Sequence, residues 1–89
     1  MAGHLPSKDV LGQASPAAAA LVVVGHAGRE GLLSPEETRK ARWLAIEGSV
    51  AIQAAAEVFL LDGDVAGCAD TVRRVLALAE RSEAQSHRF

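Results

Sequence analysis

The chain has 89 residues, of which 49% are hydrophobic but only 3% aromatic, and its formal net charge is −2. This length allows one domain at most, and the negative balance gives no global positive field that would draw the chain to nucleic acid or to an anionic membrane. With so few aromatic residues, the core has to be built from alanine, leucine and valine. Such a core stabilises a fold weakly per residue, which favours its completion by a second chain.

The single cysteine and the apolar segments bear on the compartment. Cys68 is the only cysteine, so the chain has neither an internal disulfide nor a set of cysteine zinc ligands, and we expect it to be a small buried core residue. The apolar run over residues 17–27 is shorter than the roughly 20 residues of a membrane span. Lys8 is the only cation that precedes this run, which is a poor match to the basic start of a signal peptide. These features predict a cytoplasmic protein without a membrane segment. Arginine exceeds lysine, which indicates a bacterial genome rich in GC.

The first part of the chain predicts an arm followed by one helix. Residues 1–14 are predicted to form a loose N-terminal arm, in which Gly12 would fray any short helix. Ser15 followed by Pro16 is typical of a helix start and predicts a helix over residues 16–26. Its valine-rich centre, residues 21–24, also fits a β-strand, but a lone strand would have nothing to pair with, so a helix is favoured.

The middle of the chain predicts one long helix over residues 35–61. Ser34, Pro35 and Glu37 have the spacing of a helix cap with a capping box, and the only glycine that follows inside the segment is Gly48. At about 100° per residue, this helix would be apolar on two separate sides and polar along a narrow strip. A chain this short cannot cover both sides, which predicts a partner and, in the first place, a homodimer.

Each apolar side of the predicted long helix gives a candidate interface. One side has mostly small residues that would let a helix of a second copy approach closely, and it predicts a dimer interface at Ala41, Ala45, Gly48, Ile52 and Ala55. The other side predicts a partner-binding surface at Trp43, Ile46 and Val50. Tryptophan is enriched at interfaces because it covers a large area while its N–H can stay paired. Packing of Trp43 in the core of the chain is the alternative.

The last part of the chain predicts a second helix of a hairpin. Gly63 is expected to end the long helix and Asp64 to cap the next one. Apolar residues at alternating spacings of four and three then predict a helix over residues 65–82 that packs antiparallel to the long helix. Residues 83–89 are predicted to be a frayed tail. The sequence therefore predicts an all-α domain of three helices, with a C-terminal αα-hairpin, that completes its core by dimerisation.

No complete catalytic or cofactor site is indicated. Residues 62–70 have carboxylates near calcium-loop spacing, but Arg73 stands where the twelfth-position glutamate of such a loop is required. His4, His26 and His87 are not at metal-ligand spacing, and His26 is interpreted as capping the end of the first helix. The glycines around His26 lack the spacing of a phosphate-binding loop. We therefore predict no metal, no cofactor and no enzymatic activity.

Two groups of basic residues raise the question of nucleic-acid binding: Arg39, Lys40 and Arg42, and Arg73, Arg74 and Arg81. The first group follows Glu36 and Glu37, so pairing of Glu36 with Arg39 or Lys40 across one helical turn is expected. Neither group is expected to present an aromatic side chain for base stacking. Nucleic acid is therefore disfavoured as a partner.

The predicted function is a small non-catalytic protein–protein interaction or regulatory module that acts as a homodimer. Two alternatives stay open, a small DNA-binding regulator and an accessory subunit of a larger enzyme assembly. Binding of an apolar ligand between the helices is a further open possibility. The sequence does not identify the partner or the biological process.

Overall fold

The computed structural model describes residues 8–86, and this range contains helices and no strand. Five helices follow in chain order: α1 Lys8–Gln13, α2 Pro16–Arg29, α3 Pro35–Ile46, α4 Val50–Asp62 and α5 Val65–Ser86. The predicted all-α class is confirmed. The valine-rich residues 21–24 lie inside α2 and are helical, as favoured over a strand.

Serine caps begin α2 and α3 where the sequence predicted helix starts. The Ser34 hydroxyl accepts a hydrogen bond from the Glu37 backbone N–H at 3.0 Å, and the Glu37 carboxylate accepts one from the Ser34 N–H at 2.8 Å. Ser15 Oγ accepts from the Ala18 N–H at 3.2 Å. These bonds pair backbone N–H groups of the first turn that no helical carbonyl can reach, which is why so local a signal predicts the start of a helix.

The predicted long helix over residues 35–61 is wrong, because α3 and α4 are separate helices bent by 108° relative to each other. Gly48 has a φ of +84° and leaves the helical conformation. Its N–H donates to the Ala45 carbonyl at 3.1 Å, and the Ser49 N–H donates to the Leu44 carbonyl at 2.9 Å, which is the Schellman arrangement that ends helices. Ser49 then caps α4 with its hydroxyl. The two apolar sides derived for a continuous helix therefore do not lie on one element.

The predicted N-terminal arm contains a short helix. α1 covers Lys8–Gln13, and its Leu11 is buried in the core. Burial of one leucine explains why this segment is held although Gly12 weakens it as an isolated helix. Residues 1–7, the rest of the predicted arm, lie outside the described residues.

Two helices run further than predicted. α2 continues beyond residue 26 to Arg29, because Gly25 is accommodated within the helix and the turn comes at Gly31, with a φ of +77°. α5 continues beyond residue 82 to Ser86, so residues 83–86 of the predicted tail are helical. Residues 87–89 of that tail lie outside the described range.

α2 lies at the centre of the core and packs against the other helices. α2 and α3 approach closely at Gly28, where an added Cβ would lie 2.5 Å from Thr38 Oγ1. α4 and α5 are joined by Gly63 and Asp64 alone and pack against each other. The side chains buried between the helices are small or aliphatic apart from Phe59 and Cys68, and none of the buried residues in the described part is polar or charged.

In the described part of the chain, no single helix is both long and apolar enough to cross a membrane. Together, α3 and α4 have the necessary length and composition, but the 108° bend separates them.

Candidate interaction surface

Most residues of the predicted dimer interface lie inside the chain. Ala41, Ala45, Ile52 and Ala55 are fully buried, because α3 and α4 fold over α2 and α5 and do not form one rod. Gly48 is exposed in the turn between α3 and α4. The structure therefore corrects the location of these small residues, which form intrachain core contacts and no exposed strip.

The residues of the predicted partner-binding surface are exposed. The exposed fractions are 61% for Trp43, 62% for Ile46 and 76% for Val50. Trp43 therefore does not pack in the core of the chain, which was the alternative. Trp43 and Ile46 line the same groove, whereas Val50 lies beyond the bend on α4 and outside that groove.

An open groove of about 530 Å³ lies between α2 and α3, and we call it the α2–α3 groove. Its α3 side is one helical face, since its residues recur at intervals of three and four along the helix; they are Arg39, Arg42, Trp43 and Ile46. Arg29, from the last turn of α2, lines it as well. The remaining lining residues are small or short: Gly25, Gly28, Pro35 and Thr38.

A second groove, of about 400 Å³, lies between α3 and α5, and we call it the α3–α5 groove. Its apolar lining includes Leu44, Leu76 and Ala79, and its charged lining contains both signs: Arg39, Lys40, Glu80 and Glu83. Trp43 lines this groove too. One exposed indole therefore forms a wall of both grooves.

Several of the charges on the α5 side of α3 are paired with each other. Lys40 Nζ lies 3.0 Å from Glu80 Oε1 and 3.3 Å from Glu36 Oε1. These contacts, with the hydrogen bond to Glu80 first and that to Glu36 second, raise the pKa of Lys40. Glu37 lies 3.5 Å from Arg73 of α5. The expected pairing of Glu36 is thus made with Lys40.

The arginines that line the α2–α3 groove lack such partners in the described part of the chain. The side chains of Arg29, Arg39 and Arg42 are exposed, and none of them has an ion-pair or hydrogen-bond partner among the described residues. The acidic residues of the first turn of α3 do not line the α2–α3 groove. Trp43 lies among these arginines, which corrects the expectation that no aromatic side chain accompanies the first basic group.

Cys68 is buried in the core, and His26 contacts a carboxylate of the same chain. The Cys68 side chain is fully buried, and burial, with the nearby Asp64 carboxylate adding to it, raises the pKa of its thiol to about 11. The prediction of a small core residue is confirmed. His26 Nε2 lies 3.3 Å from Glu30 Oε1, one turn further along. His26 lies in the last turn of α2, as interpreted, but its described side-chain contact is with Glu30, and it caps no backbone carbonyl among the described residues.

The carboxylates of residues 62–70 serve a helix start. Asp64 Oδ1 accepts a hydrogen bond from the Gly67 N–H at 2.8 Å, and α5 begins at the next residue, Val65. Within residues 8–86, no group of three His, Cys, Asp or Glu side chains is placed to hold a metal ion. The turn between α4 and α5 is therefore a cap in this structure.

The sequence analysis did not assign the arginines around Trp43 to the candidate binding surface. The spacing of Arg39, Arg42, Trp43 and Ile46 on one helical face was a usable signal. Glu36 was expected to pair with Arg39 or Lys40, and among the described contacts it pairs with Lys40 and not with Arg39. Arg29 gave no such signal, because only the packing of α2 against α3 brings it to this groove.

The lining of the α2–α3 groove combines apolar and cationic side chains. It offers an indole, an aliphatic side chain and guanidinium groups, whose N–H donors suit carboxylates or phosphates. The one hydroxyl in its lining, that of Thr38, donates to the Ser34 carbonyl at 2.8 Å. Comparisons with known protein families, with curated proteins and with solved structures gave no match for this chain.

Proposed function

We propose that this chain is a non-catalytic protein–protein interaction module and that its binding surface is the exposed face of α3 around Trp43. The observation that carries this proposal is the exposure of Trp43, which is the only tryptophan of the chain and lines two grooves. A tryptophan buries a large area when a partner covers it, and such residues dominate the energy of many interfaces. Ile46 extends the same apolar surface by one turn.

The non-catalytic part of the proposal is supported by the burial of the cysteine thiol. The thiol of Cys68 is buried and its pKa is raised, both of which work against a nucleophilic thiolate. The proposal includes the cytoplasm of a bacterium as the compartment, supported by the single buried cysteine.

The partner is a second copy or a different protein. A homodimer, as expected from the sequence, would have to use exposed residues such as Trp43 and Ile46, because the alanines of the predicted strip already pack inside the chain. Both forms make Trp43 the anchor. The proposal therefore makes one shared prediction about this side chain.

The test compares three versions of the chain as baits in a lysate of the native host, with mass spectrometry of what is retained and sedimentation of the bait alone. The versions are the unchanged chain, Trp43→Ala and Leu78→Ala. Leu78 is a matched control because it is 63% exposed and lines neither groove. We expect Trp43→Ala to weaken association by roughly 2 kcal/mol or more, as interface hot spots do, and Leu78→Ala to leave it unchanged.

Circular dichroism separates binding from folding in the same experiment. Because Trp43 is exposed, Trp43→Ala should leave the helix content and the thermal midpoint close to those of the unchanged chain. A partner retained equally by all three baits would contradict the proposal. So would a Trp43→Ala chain that loses association only because it unfolds.

A further inference from the structure

We infer that the α2–α3 groove binds an acidic amphipathic segment of a different protein. In this arrangement an apolar side chain of the segment packs against Trp43 and Ile46, and its carboxylates pair with Arg29, Arg39 and Arg42. The inference rests on the proposed function and adds the chemistry of the partner to it.

The charge of the groove points to an acidic partner. Arg29, Arg39 and Arg42 line it together, and no described acidic residue lines it with them. On the α5 side, by contrast, Lys40 and Arg73 are each held by carboxylates of this chain. Arg39 also lines the α3–α5 groove, with Glu80 and Glu83, but forms no ion pair there among the described residues. Cations grouped without counter-charges repel one another, and carboxylates entering the groove relieve this repulsion and accept charge-assisted hydrogen bonds from the guanidinium groups.

The composition of the groove points to an amphipathic segment. Ile46, Pro35 and the indole of Trp43 supply apolar surface next to the arginines. An apolar anchor flanked by carboxylates would match both parts of the lining. A helix presenting residues at intervals of three and four is one form of segment with this pattern.

Gly25 leaves space in the wall of the groove. It lies inside α2, where glycine is less stable than alanine. An added Cβ would meet only Arg29 Nη1, at 3.6 Å, so nothing in the described chain requires a glycine there. At Gly28, in contrast, Thr38 leaves no room for a Cβ. The space at Gly25 lets an incoming chain approach the backbone of α2.

The same charges disfavour two other occupants. A symmetric dimer centred on this groove would place the arginines of one copy opposite those of the other, with repulsion across the interface. A nucleic acid would meet three guanidinium groups and one aromatic ring on a chain whose net charge is −2, which is a small basic footprint for binding phosphates. A short acidic protein segment needs only the local complementarity that the groove has.

The test selects binders without assuming their sequence. A random library of 16-residue peptides displayed on phage is panned on the full chain, and binders that the Trp43→Ala chain also retains are discarded. We expect the remaining peptides to be enriched in aspartate and glutamate around one or two large apolar residues. Affinities of synthetic peptides are then measured by the fluorescence of Trp43, which is the only tryptophan and lines the groove.

Charge-reversal variants test the role of the arginines. The double variant Arg39→Glu/Arg42→Glu should weaken binding of the selected peptide by roughly tenfold or more. The matched control, Arg74→Glu/Arg81→Glu, makes the same change in net charge at exposed α5 positions outside the groove, and should have little effect. A twin peptide with glutamine for glutamate and asparagine for aspartate should lose affinity to the same extent, and the loss should shrink at high salt.

A third variant blocks the groove without changing its charge. Gly25→Leu places a side chain in the open space, and should abolish peptide binding while helix content is kept or increased. This variant keeps the test decisive if the charge-reversal chain folds poorly.

Four results would overturn the inference. They are Trp43-dependent peptides without acidic enrichment, an unchanged affinity in the Arg39→Glu/Arg42→Glu chain, tighter Trp43-dependent binding of a thymidine 20-mer than of the selected peptides, and a dimer in sedimentation that Trp43→Ala dissociates. The first, second and fourth results leave Trp43 as a protein anchor, so the proposed function would survive them. Absence of any Trp43-dependent protein or peptide binding would overturn the proposed function as well.

Discussion

Arg73 Nε of α5 lies 3.5 Å from Glu37 Oε2 in the first turn of α3. The same guanidinium donates a hydrogen bond to the Leu32 carbonyl in the loop that follows α2, and Glu37 also closes the capping box with Ser34. One arginine therefore joins α5 to the loop before α3 and to the start of α3. This connection helps to hold α3 in the position from which it presents Trp43.

The first prediction is that Arg73→Met lowers the stability of the fold. The methionine keeps an aliphatic stem but removes the donors to Leu32 and Glu37. Because the arginine is about half exposed, we expect a loss of about 1 kcal/mol, measured by urea unfolding. Arg74→Met is the control at the next position, since Arg74 is exposed and has no described ion-pair partner. Equal effects of the two changes would show that the contacts of Arg73 contribute nothing.

The second prediction concerns acid. The Ser34 N–H lowers the pKa of Glu37 most, and the charge of Arg73 lowers it further, against an opposing effect of partial burial. A carboxyl whose pKa is lower in the folded state stabilises the fold above its unfolded value, near 4.5, and this contribution is lost as the pH falls through the folded value. Glu37→Gln should therefore lower the thermal midpoint at neutral pH and reduce its further fall on acidification.

The control for the acid experiment is Glu57→Gln, which removes one negative charge from an exposed position on α4. Thermal unfolding is followed by circular dichroism from about pH 7 to pH 3, the window in which carboxylates titrate. A Glu37→Gln chain whose curve stays parallel to that of the unchanged chain over the whole range would refute the role given to this carboxylate.

The third prediction is that two glycines respond to alanine in opposite directions. Gly48 has a φ of +84°, which strains any residue with a Cβ, so Gly48→Ala should destabilise the fold by about 1 kcal/mol. Gly25 lies in a helix with open space beside it, so Gly25→Ala should stabilise by roughly 0.5–1 kcal/mol. Chemical denaturation of both variants measures this. A Gly48→Ala chain as stable as the unchanged one would show that the turn is not held as described.

Helix starts were predictable from the sequence because their causes are local. Ser15 with Pro16 and Ser34 with Pro35 each place a hydroxyl acceptor and a fixed φ next to the first turn, and the structure has the helices where these pairs predict them. The break at Gly48 was missed because apolar residues continue on both sides of it. The adjacent Ser49, a cap for the next helix, was the signal that distinguishes a stop and restart from one glycine inside a helix.

The candidate surface could be predicted only in part. Exposure of Trp43 and Ile46 agrees with the stripe derived from the spacing of these residues. The burial of Ala41 and Ala45 depends on how α3 packs on its neighbours, which the periodicity of a single helix does not specify. The grouping of Arg29 with Arg39 depends on the close approach of α2 and α3 at Gly28 and Thr38, a contact between residues distant in sequence.

The fourth prediction is that the chain folds without the help of a second copy. The residues that the sequence predicted at a dimer interface, such as Ile52 and Ala55, are fully buried within one chain, so we expect the core to close without a partner. The thermal midpoint should therefore stay constant between about 1 and 100 µM protein, whereas the midpoint of an obligate dimer rises with concentration.

Ile52→Val, which removes one buried methyl group, should lower stability by about 1 kcal/mol, and by the same amount at each concentration. Val50→Ala, at a 76% exposed position, should change it little. A midpoint that rises by several degrees over this range would show that association contributes to the stability of the fold. An effect of Ile52→Val that fades at high concentration would show in addition that Ile52 lies at an interface between two copies.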